Sequence, residues 1–231
     1  MNGYVLAMRE LFEAHANPEQ AGPMAAYMRN QFPYLGIKTP QSVELQKRFY
    51  AEHGLPPLAE LDSILRDLWS LPQREFQYIG VGLLIGFEKT LPAGFIETIE
   101  YLLVTKSWWD TVDSIAGGPL GVHFKRHPDM RNATLTGWRA SDNLWLRRAC
   151  ILFQLGYKQE TDFALLKEII GENLGSREFF INKAIGWALR QHSRIDPQGV
   201  RDFVAKTPLH PLSKREALKW LKRQEATSEK K

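Results

Sequence analysis

A ten-residue stretch, TKSWWDTVDS at 105–114, contains side chains that could do chemistry. Trp109 and Asp113 are four residues apart, a spacing that places both on the same face of a helix. A separate apolar stripe, at spacings of four and three, consists of Trp108, Val112 and Ile115. We therefore expect Trp108 in the core and Trp109 and Asp113 elsewhere. Taken alone, the stretch favours a solvated Asp113 and a Trp109 that packs against a neighbouring segment.

Two later segments offer side chains that could complete a site. In FFINKAIGWALR at 179–190, residues at spacings of four, four and three form one helical face: Phe179, Lys183, Trp187 and Arg190. In SDNLWLRRAC at 141–150, Leu146 and Ala149 continue an apolar stripe. That stripe leaves Arg147 or Arg148 facing away from the core.

These residue types suit a sugar–phosphate polyanion. Arginine binds phosphate through charge and bidentate hydrogen bonds, and aromatic faces accept sugar C–H edges or bases. A carboxylate at such a place repels phosphates, so we expect Asp113 to stabilise positive charge instead. The candidate is the oxocarbenium-like state that forms when an N-glycosidic bond breaks, as in glycoside cleavage.

A repeat of helices must position these residues. Four segments of similar pattern begin at spacings of 34, 35 and 37, at Ser107, Ser141, Ser176 and Ser213. Each serine is predicted to be an N-cap, with Asp110 and Glu216 as the acidic partners of capping boxes. A fifth segment, PQREFQYIG, begins at Pro72, 35 residues before Ser107. An amphipathic segment precedes each of the five helices, at 58–70, 94–104, 128–139, 161–174 and 197–206.

A helix pair that recurs about every 35 residues is typical of an α-solenoid. We therefore predict an all-α fold, an α-solenoid of HEAT-like helix pairs in one curved domain over 1–224, with a disordered tail at 225–231. The second helices of the pairs are expected to line one concave wall, which would be the binding groove for a polyanion. The glycines and proline of AGGPLG at 116–121 predict a helix break just after Asp113.

Composition excludes several classes of protein. The 231 residues contain one cysteine, Cys150, so neither a disulfide framework nor a cysteine zinc site is possible. His123 and His127 lack a third ligand, and we expect no metal and no cofactor. No apolar run is long enough to span a membrane, which favours an intracellular compartment.

Charge is divided unevenly along the chain. Residues 1–100 hold 8 Lys and Arg against 12 Asp and Glu, whereas residues 101–231 hold 22 against 14. This asymmetry indicates a polyanionic partner for the later part or a solvated basic surface.

At the level of motifs, the sequence resembles the bacterial DNA alkylation-repair glycosylases of the AlkD type, which are built from HEAT-like repeats. The resemblance extends from the start to about residue 224. It rests on MAAYMRNQFPYLGIKTP (24–40), LWSLPQREFQ (68–77), VTKSWWDTVDSIA (104–116), SDNLWLRRACILFQL (141–155), REFFINKAIGWALR (177–190) and PLSKREALK (211–219). The stretches SWWDTVDS and FFINKAIGWALR are the most specific.

The resemblance implies roles for the site residues. The aspartate and tryptophans that contact the lesion-bearing deoxyribose in that family fall on Asp113, Trp109 and Trp187. An arginine that holds the DNA backbone falls on Arg148. Further positions in the DNA groove are matched by Phe179, Arg190 and Tyr27, and Lys183 is predicted to join them.

The resemblance also implies an activity, the excision of N3- and N7-alkylated purines from double-stranded DNA in base excision repair. We expect a monofunctional glycosylase that acts as a monomer. Two alternatives remain open at the level of sequence. One is a non-catalytic binder of distorted DNA on the same scaffold, and the other is a helical-repeat scaffold for protein partners.

Overall fold

The structure, a computed structural model, describes residues 1–228, and all of their regular secondary structure is helical. The α-helices are α1 (Gly3–Glu13), α2 (Pro18–Tyr27), α3 (Thr39–His53), α4 (Leu61–Ser70), α5 (Arg74–Phe87), α6 (Ile96–Val104), α7 (Trp109–Ile115), α8 (Gly121–Arg126), α9 (Pro128–Arg139), α10 (Leu144–Leu152), α11 (Phe163–Glu172), α12 (Phe179–His192), α13 (Pro197–Lys206) and α14 (Pro211–Ser228). Short 3₁₀ turns precede α4, α6 and α11 at Leu58–Glu60, Ala93–Phe95 and Lys158–Glu160. The predicted all-α class is confirmed.

The chain divides into two compact units, with the boundary between Lys106 and Ser107. The predicted single curved domain over 1–224 spans both units and stays a prediction. The tail predicted at 225–231 falls partly within α14, which ends at Ser228. Residues 229–231 lie outside the described part of the chain.

The predicted helix pairs agree with the structure. The five amphipathic segments correspond to α4, α6, α9, α11 and α13, and each is followed by the helix expected after it. In α4, the apolar stripe of the sequence is almost completely buried and consists of Leu61, Ile64, Leu65, Leu68 and Trp69. A helix as short as α4 is not stable alone, and the burial of this apolar stripe stabilises it.

Prolines and capping side chains set where several helices begin. Pro occupies the first turn of α2, α9 and α13, where its missing N–H leaves no helical bond unmade. The side chains of Asn17 and Asp196, which precede α2 and α13, accept hydrogen bonds from backbone N–H groups of the first turn. The dipeptides NP at 17–18, HP at 127–128 and DP at 196–197 therefore mark helix starts.

The serines predicted as N-caps do not occupy that position. Helix α10 begins three residues after Ser141, and Asn143 caps it by accepting a hydrogen bond from the N–H of Trp145 at 2.9 Å. The Ser141 hydroxyl instead accepts the N–H of Asn143 at 3.1 Å and so forms a turn just before the helix. Ser213 lies inside α14.

At the capping box predicted around Asp110, the helix starts one residue later than a cap at Ser107 predicts. Helix α7 begins at Trp109, and its N-cap is Trp108, whose side chain makes no capping bond. Asp110 therefore lies in the first turn of the helix, where a negative charge interacts favourably with the exposed N–H groups.

The break predicted after Asp113 is absent. A π-turn at Ala116–Leu120 joins α7 to α8, so the backbone is helical from 109 to 126. Proline in an α-helix clashes with the carbonyl four residues earlier, and the wider π-turn around Pro119 relieves that crowding. Asp113 consequently lies on a helix that continues beyond it.

Two glycines allow close packing between helices. A β-carbon on Gly80 of α5 would lie 2.6 Å from the ring of Trp69, and one on Gly121 of α8 would lie 2.5 Å from the carbonyl oxygen of Phe153. Among residues 1–228, no helix is both long and apolar enough to cross a membrane.

Candidate active site

Three helices of the second unit bring the predicted site residues to one pocket of about 360 Å³. Two of the eight residues that line the pocket come from α7, one from α10 and five from α12. Seven of them were predicted, and Phe180 was not. The eight are Trp109, Asp113, Arg148, Phe179, Phe180, Lys183, Trp187 and Arg190. The helical spacings noted in the sequence explain why each helix directs its residues to the same side.

The carboxylate of Asp113 forms a bidentate ion pair with Arg148. The guanidinium donates from Nε to Oδ1 at 2.7 Å and from Nη2 to Oδ2 at 2.8 Å. The side chain of Arg148 is 3% exposed and that of Asp113 is 14% exposed. Arg148 also donates from Nη1 to the carbonyl oxygen of Phe180. The carboxylate is thus held at a fixed place between α7, α10 and α12.

Burial raises the pKa of Asp113 above its usual range. The hydrogen bond and the charge of Arg148 act in the opposite direction, and the nearby charge of Asp110 adds to the increase. Without its arginine, the carboxyl group would bind a proton more readily still.

Arg148 lies deeper than a contact with the DNA backbone suggests. Its guanidinium is engaged by Asp113 and by a backbone carbonyl, and it is almost fully buried. The alternative left open by the sequence, Arg147, donates from Nη1 to the carbonyl of Ser141 at 3.3 Å and does not line the pocket. Arg148 is thus placed to hold Asp113.

Aromatic rings support the site from below. Trp108 lies 5.8 Å from Trp145 and 5.1 Å from Phe180, measured between ring centroids, and Trp145 and Phe180 are 5.1 Å apart. Trp108 was expected in the core, but it is half-buried at the N-cap of α7 and packs in this cluster instead. Phe180 is half-buried and also lines the pocket.

The cations at the pocket are held by a residue that the sequence did not identify as part of the site. Glu216 of α14 accepts a hydrogen bond from Nη1 of Arg190 at 2.7 Å, and its Oε2 lies 3.0 Å from Nζ of Lys183. The sequence pattern assigned Glu216 to a capping box within its own helix and therefore did not predict its contacts with Arg190 and Lys183.

Phe179 and Tyr27 are the most exposed of the predicted residues. Phe179 is 54% exposed at the pocket of the second unit. Tyr27 is 73% exposed and lines a groove of about 740 Å³ within the first unit, together with Lys38 and Tyr78. The structure brings together every predicted site residue except Tyr27, which lies in the other unit.

Comparison with known proteins agrees with the motifs and the fold. A family model described as DNA alkylation repair enzyme matches residues 8–221. The chain belongs to this family. Membership makes the protein an enzyme of DNA alkylation repair, with DNA as its partner.

A solved structure supports the same assignment. The chain has 32% sequence identity and a TM-score of 0.82 to a protein described as a predicted DNA alkylation repair enzyme from Enterococcus faecalis. The similarity covers 89% of this chain and 96% of the other. A search of curated proteins gives no match. The resemblance inferred from the sequence motifs is confirmed at the level of family and helical-repeat fold.

Proposed function

We propose that the protein is a monofunctional DNA glycosylase that hydrolyses the N-glycosidic bond of cationic N3- and N7-alkylated purines in double-stranded DNA. The observation that carries the proposal is the Asp113 carboxylate, fixed by Arg148 in a pocket that also contains two indoles and two cations. The reaction belongs to base excision repair, with lesions of the 3-methyladenine and 7-methylguanine type as substrates.

The chemistry of the substrate matches the groups that the pocket offers. Alkylation at N3 or N7 makes the purine cationic, so the base departs as a neutral molecule and needs no general acid. As the bond lengthens, positive charge develops at C1′ of the sugar. A carboxylate in a partly dehydrated pocket stabilises that charge more strongly than it would in water. Asp113 can also orient the attacking water.

The indoles of Trp109 and Trp187 supply faces for the sugar. Both side chains are half-buried, which leaves part of each ring open to the pocket. The electron-rich face of an indole attracts a cationic neighbour. The two rings therefore favour a cationic deoxyribose between them.

The remaining pocket residues are suited to the DNA backbone. Lys183 and Arg190 supply positive charge for phosphates, and the exposed ring of Phe179 offers a stacking surface. Schiff-base chemistry needs a lysine amine free to attack the sugar, whereas the Lys183 side chain is engaged in an ion pair with Glu216. This contact supports a glycosylase without lyase activity.

No step of the proposed reaction requires a cofactor. Action as a monomer is part of the same proposal. Tyr27 is proposed as an additional contact to DNA from the first unit.

The decisive experiment measures the release of free base. The purified protein is incubated with duplex DNA that contains 7-methylguanine, and released base is quantified under single-turnover conditions. We expect release well above the spontaneous rate. Intact binding without release would leave a non-catalytic DNA binder.

In the same assay Asp113→Asn is expected to bind DNA within about threefold of the wild type and to excise about 10²- to 10³-fold more slowly, the usual effect of removing one electrostatic group from a transition state. Asp129→Asn, an exposed position of α9 with the same change of charge, serves as the control. An unchanged rate in Asp113→Asn would refute the role of this carboxylate.

A further inference from the structure

Glu216 is a buried carboxylate surrounded by three cations. It is 2% exposed and lies on α14. Its Oε2 accepts from Arg190 at 2.7 Å and lies 3.0 Å from the ammonium of Lys183, while its Oε1 accepts from Lys219 at 2.5 Å. Burial alone would raise the pKa of Glu216, but the hydrogen bonds and charges of Lys219 and Lys183 outweigh it and lower the pKa to about 2. The group is therefore ionised at neutral pH.

Two of the three cations belong to the candidate active site. Lys183 and Arg190 are seven residues apart on α12, two turns of the same face. Their side chains are 36% and 27% exposed, and both line the pocket that contains Asp113. Two like charges on one face repel each other, and the shared oxygen of Glu216 holds them together.

The packing of α14 against α12 leaves Glu216 little freedom to move. Gly186 lies between the two cations on α12, and a β-carbon there would be 2.5 Å from the β-carbon of Glu216 and 2.8 Å from the carbonyl oxygen of Ser213. The Ser213 hydroxyl donates to the carbonyl oxygen of Asn182 at 2.8 Å. The helices touch at their backbones, so the carboxylate has a fixed position beneath both cations.

A carboxylate at this place weakens DNA binding if it acts through charge alone, because it repels phosphates and partly neutralises the cations. Its contribution must therefore be geometric. One N–H group of Arg190 is bound to Glu216, yet arginine has five such donors and lysine three. Both residues therefore keep N–H donors for a phosphate at the pocket, and their contacts with Glu216 set the directions of these donors.

We propose that Glu216 is a positioning residue that holds Lys183 and Arg190 in the orientation needed to bind a DNA phosphate beside the lesion, at the cost of weaker overall binding to DNA. This inference rests on the glycosylase function proposed above. It assigns Glu216 no contact with the substrate.

The test compares Glu216→Gln with the wild type in two measurements. Because the variant releases two cations of the pocket from a negative charge, we expect it to bind unmodified duplex DNA about 3- to 10-fold more tightly at low salt. The plot of log affinity against log salt concentration should become steeper by about 0.9 for each extra phosphate contact. Single-turnover excision of 7-methylguanine should slow by at least about 10-fold, because misplaced binding groups cost rate.

A matched control separates local geometry from net charge. Glu172→Gln removes the same charge from the same unit, at an ion pair with Arg139 that lies outside the pocket. We expect its excision rate to equal that of the wild type. A rate loss in this control equal to that of Glu216→Gln would overturn the proposal, as would a folded Glu216→Gln whose affinity, salt slope and rate are all unchanged.

Glu216→Asp provides a second test that does not depend on how well the glutamine variant folds. Aspartate keeps the charge but is one methylene shorter, so it cannot reach both cations as glutamate does. We expect a salt slope close to that of the wild type and a reduced excision rate. A wild-type rate in Glu216→Asp would contradict the positioning role. Binding to unmodified DNA needs no catalysis, so the affinity measurements test Glu216 even if the wild type releases no base.

Discussion

At the scale of single residues, the site depends on how one carboxylate is kept ionised in a partly buried place. Desolvation raises the pKa of Asp113, and the two hydrogen bonds from Arg148 oppose that effect. A carboxyl group can stabilise a cation in this way only while it is ionised. In the proposed mechanism Arg148 therefore acts through Asp113, whose carboxylate it holds in place by two hydrogen bonds.

Excision should consequently depend on pH through Asp113. Protonation of Asp113 should lower the excision rate as the pH decreases. Because the pKa of Asp113 is raised, the midpoint of this decrease should lie above the usual pKa of aspartate, about 4. In Arg148→Gln the hydrogen bond and charge that lower this pKa are lost, so the midpoint should move to higher pH. The plateau rate should fall by about 10- to 100-fold as the carboxylate loses its fixed position.

Single-turnover rates between pH 4 and pH 8, corrected for spontaneous depurination, measure both effects. Arg194→Gln, an exposed arginine that does not line the pocket, provides the control. The interpretation would be wrong if Arg148→Gln kept the midpoint of the wild type.

At the scale of helices, the site depends on how closely α12 and α14 approach. Gly186 has no side chain to separate the two helices, and its neighbours are the backbone of Ser213 and the β-carbon of Glu216. Neither can move aside without shifting a helix. The same contact that stabilises the end of the second unit therefore sets the position of the cations at the pocket.

Gly186→Ala should destabilise the protein by about 1–3 kcal/mol, the usual cost of inserting a methyl group into a tightly packed interface. Gly171→Ala is the matched control, since a β-carbon there meets nothing within 4 Å. That variant should be stabilised by about 0.4–1 kcal/mol through the lower flexibility of the unfolded chain. Chemical denaturation measures both, and equal stability of the two variants would show that α12 and α14 can separate without cost.

At the scale of the whole molecule, the two units differ in net charge. Residues 1–106 hold 9 Lys and Arg against 12 Asp and Glu, and residues 107–231 hold 21 against 14. The unit with the candidate active site is thus also the basic one. Attraction to DNA at long range should come mainly from this unit.

The salt dependence of DNA binding tests this distribution. Lys183→Ala should reduce the slope of log affinity against log salt concentration by up to about 0.9, the value for one lost phosphate contact. Lys89→Ala, an exposed lysine of the first unit, should leave the slope unchanged. Equal changes in both variants would indicate that the two units contribute equally to binding.

Much of the fold and part of the site were predictable because helices have a regular period. The spacing of apolar residues identified the helix pairs, and spacings of four and three placed Trp109 with Asp113 and Lys183 with Trp187. The motifs SWWDTVDS and FFINKAIGWALR identified the family. These features depend only on sequence separation within one helix.

Contacts between helices could not be predicted from the sequence, because they depend on the relative position of two helices along their axes and on the distance between them. The helical period left both Arg147 and Arg148 open, and only the family resemblance favoured Arg148. Packing of α10 against α7 directs Arg148 to Asp113. The sequence offered Glu216 as a cap for its own helix, whereas α14 lies close enough to α12 for Glu216 to bind Arg190. Within a helix the backbone period determines the direction in which each side chain points. Only the tertiary structure determines which side chain of another helix it contacts.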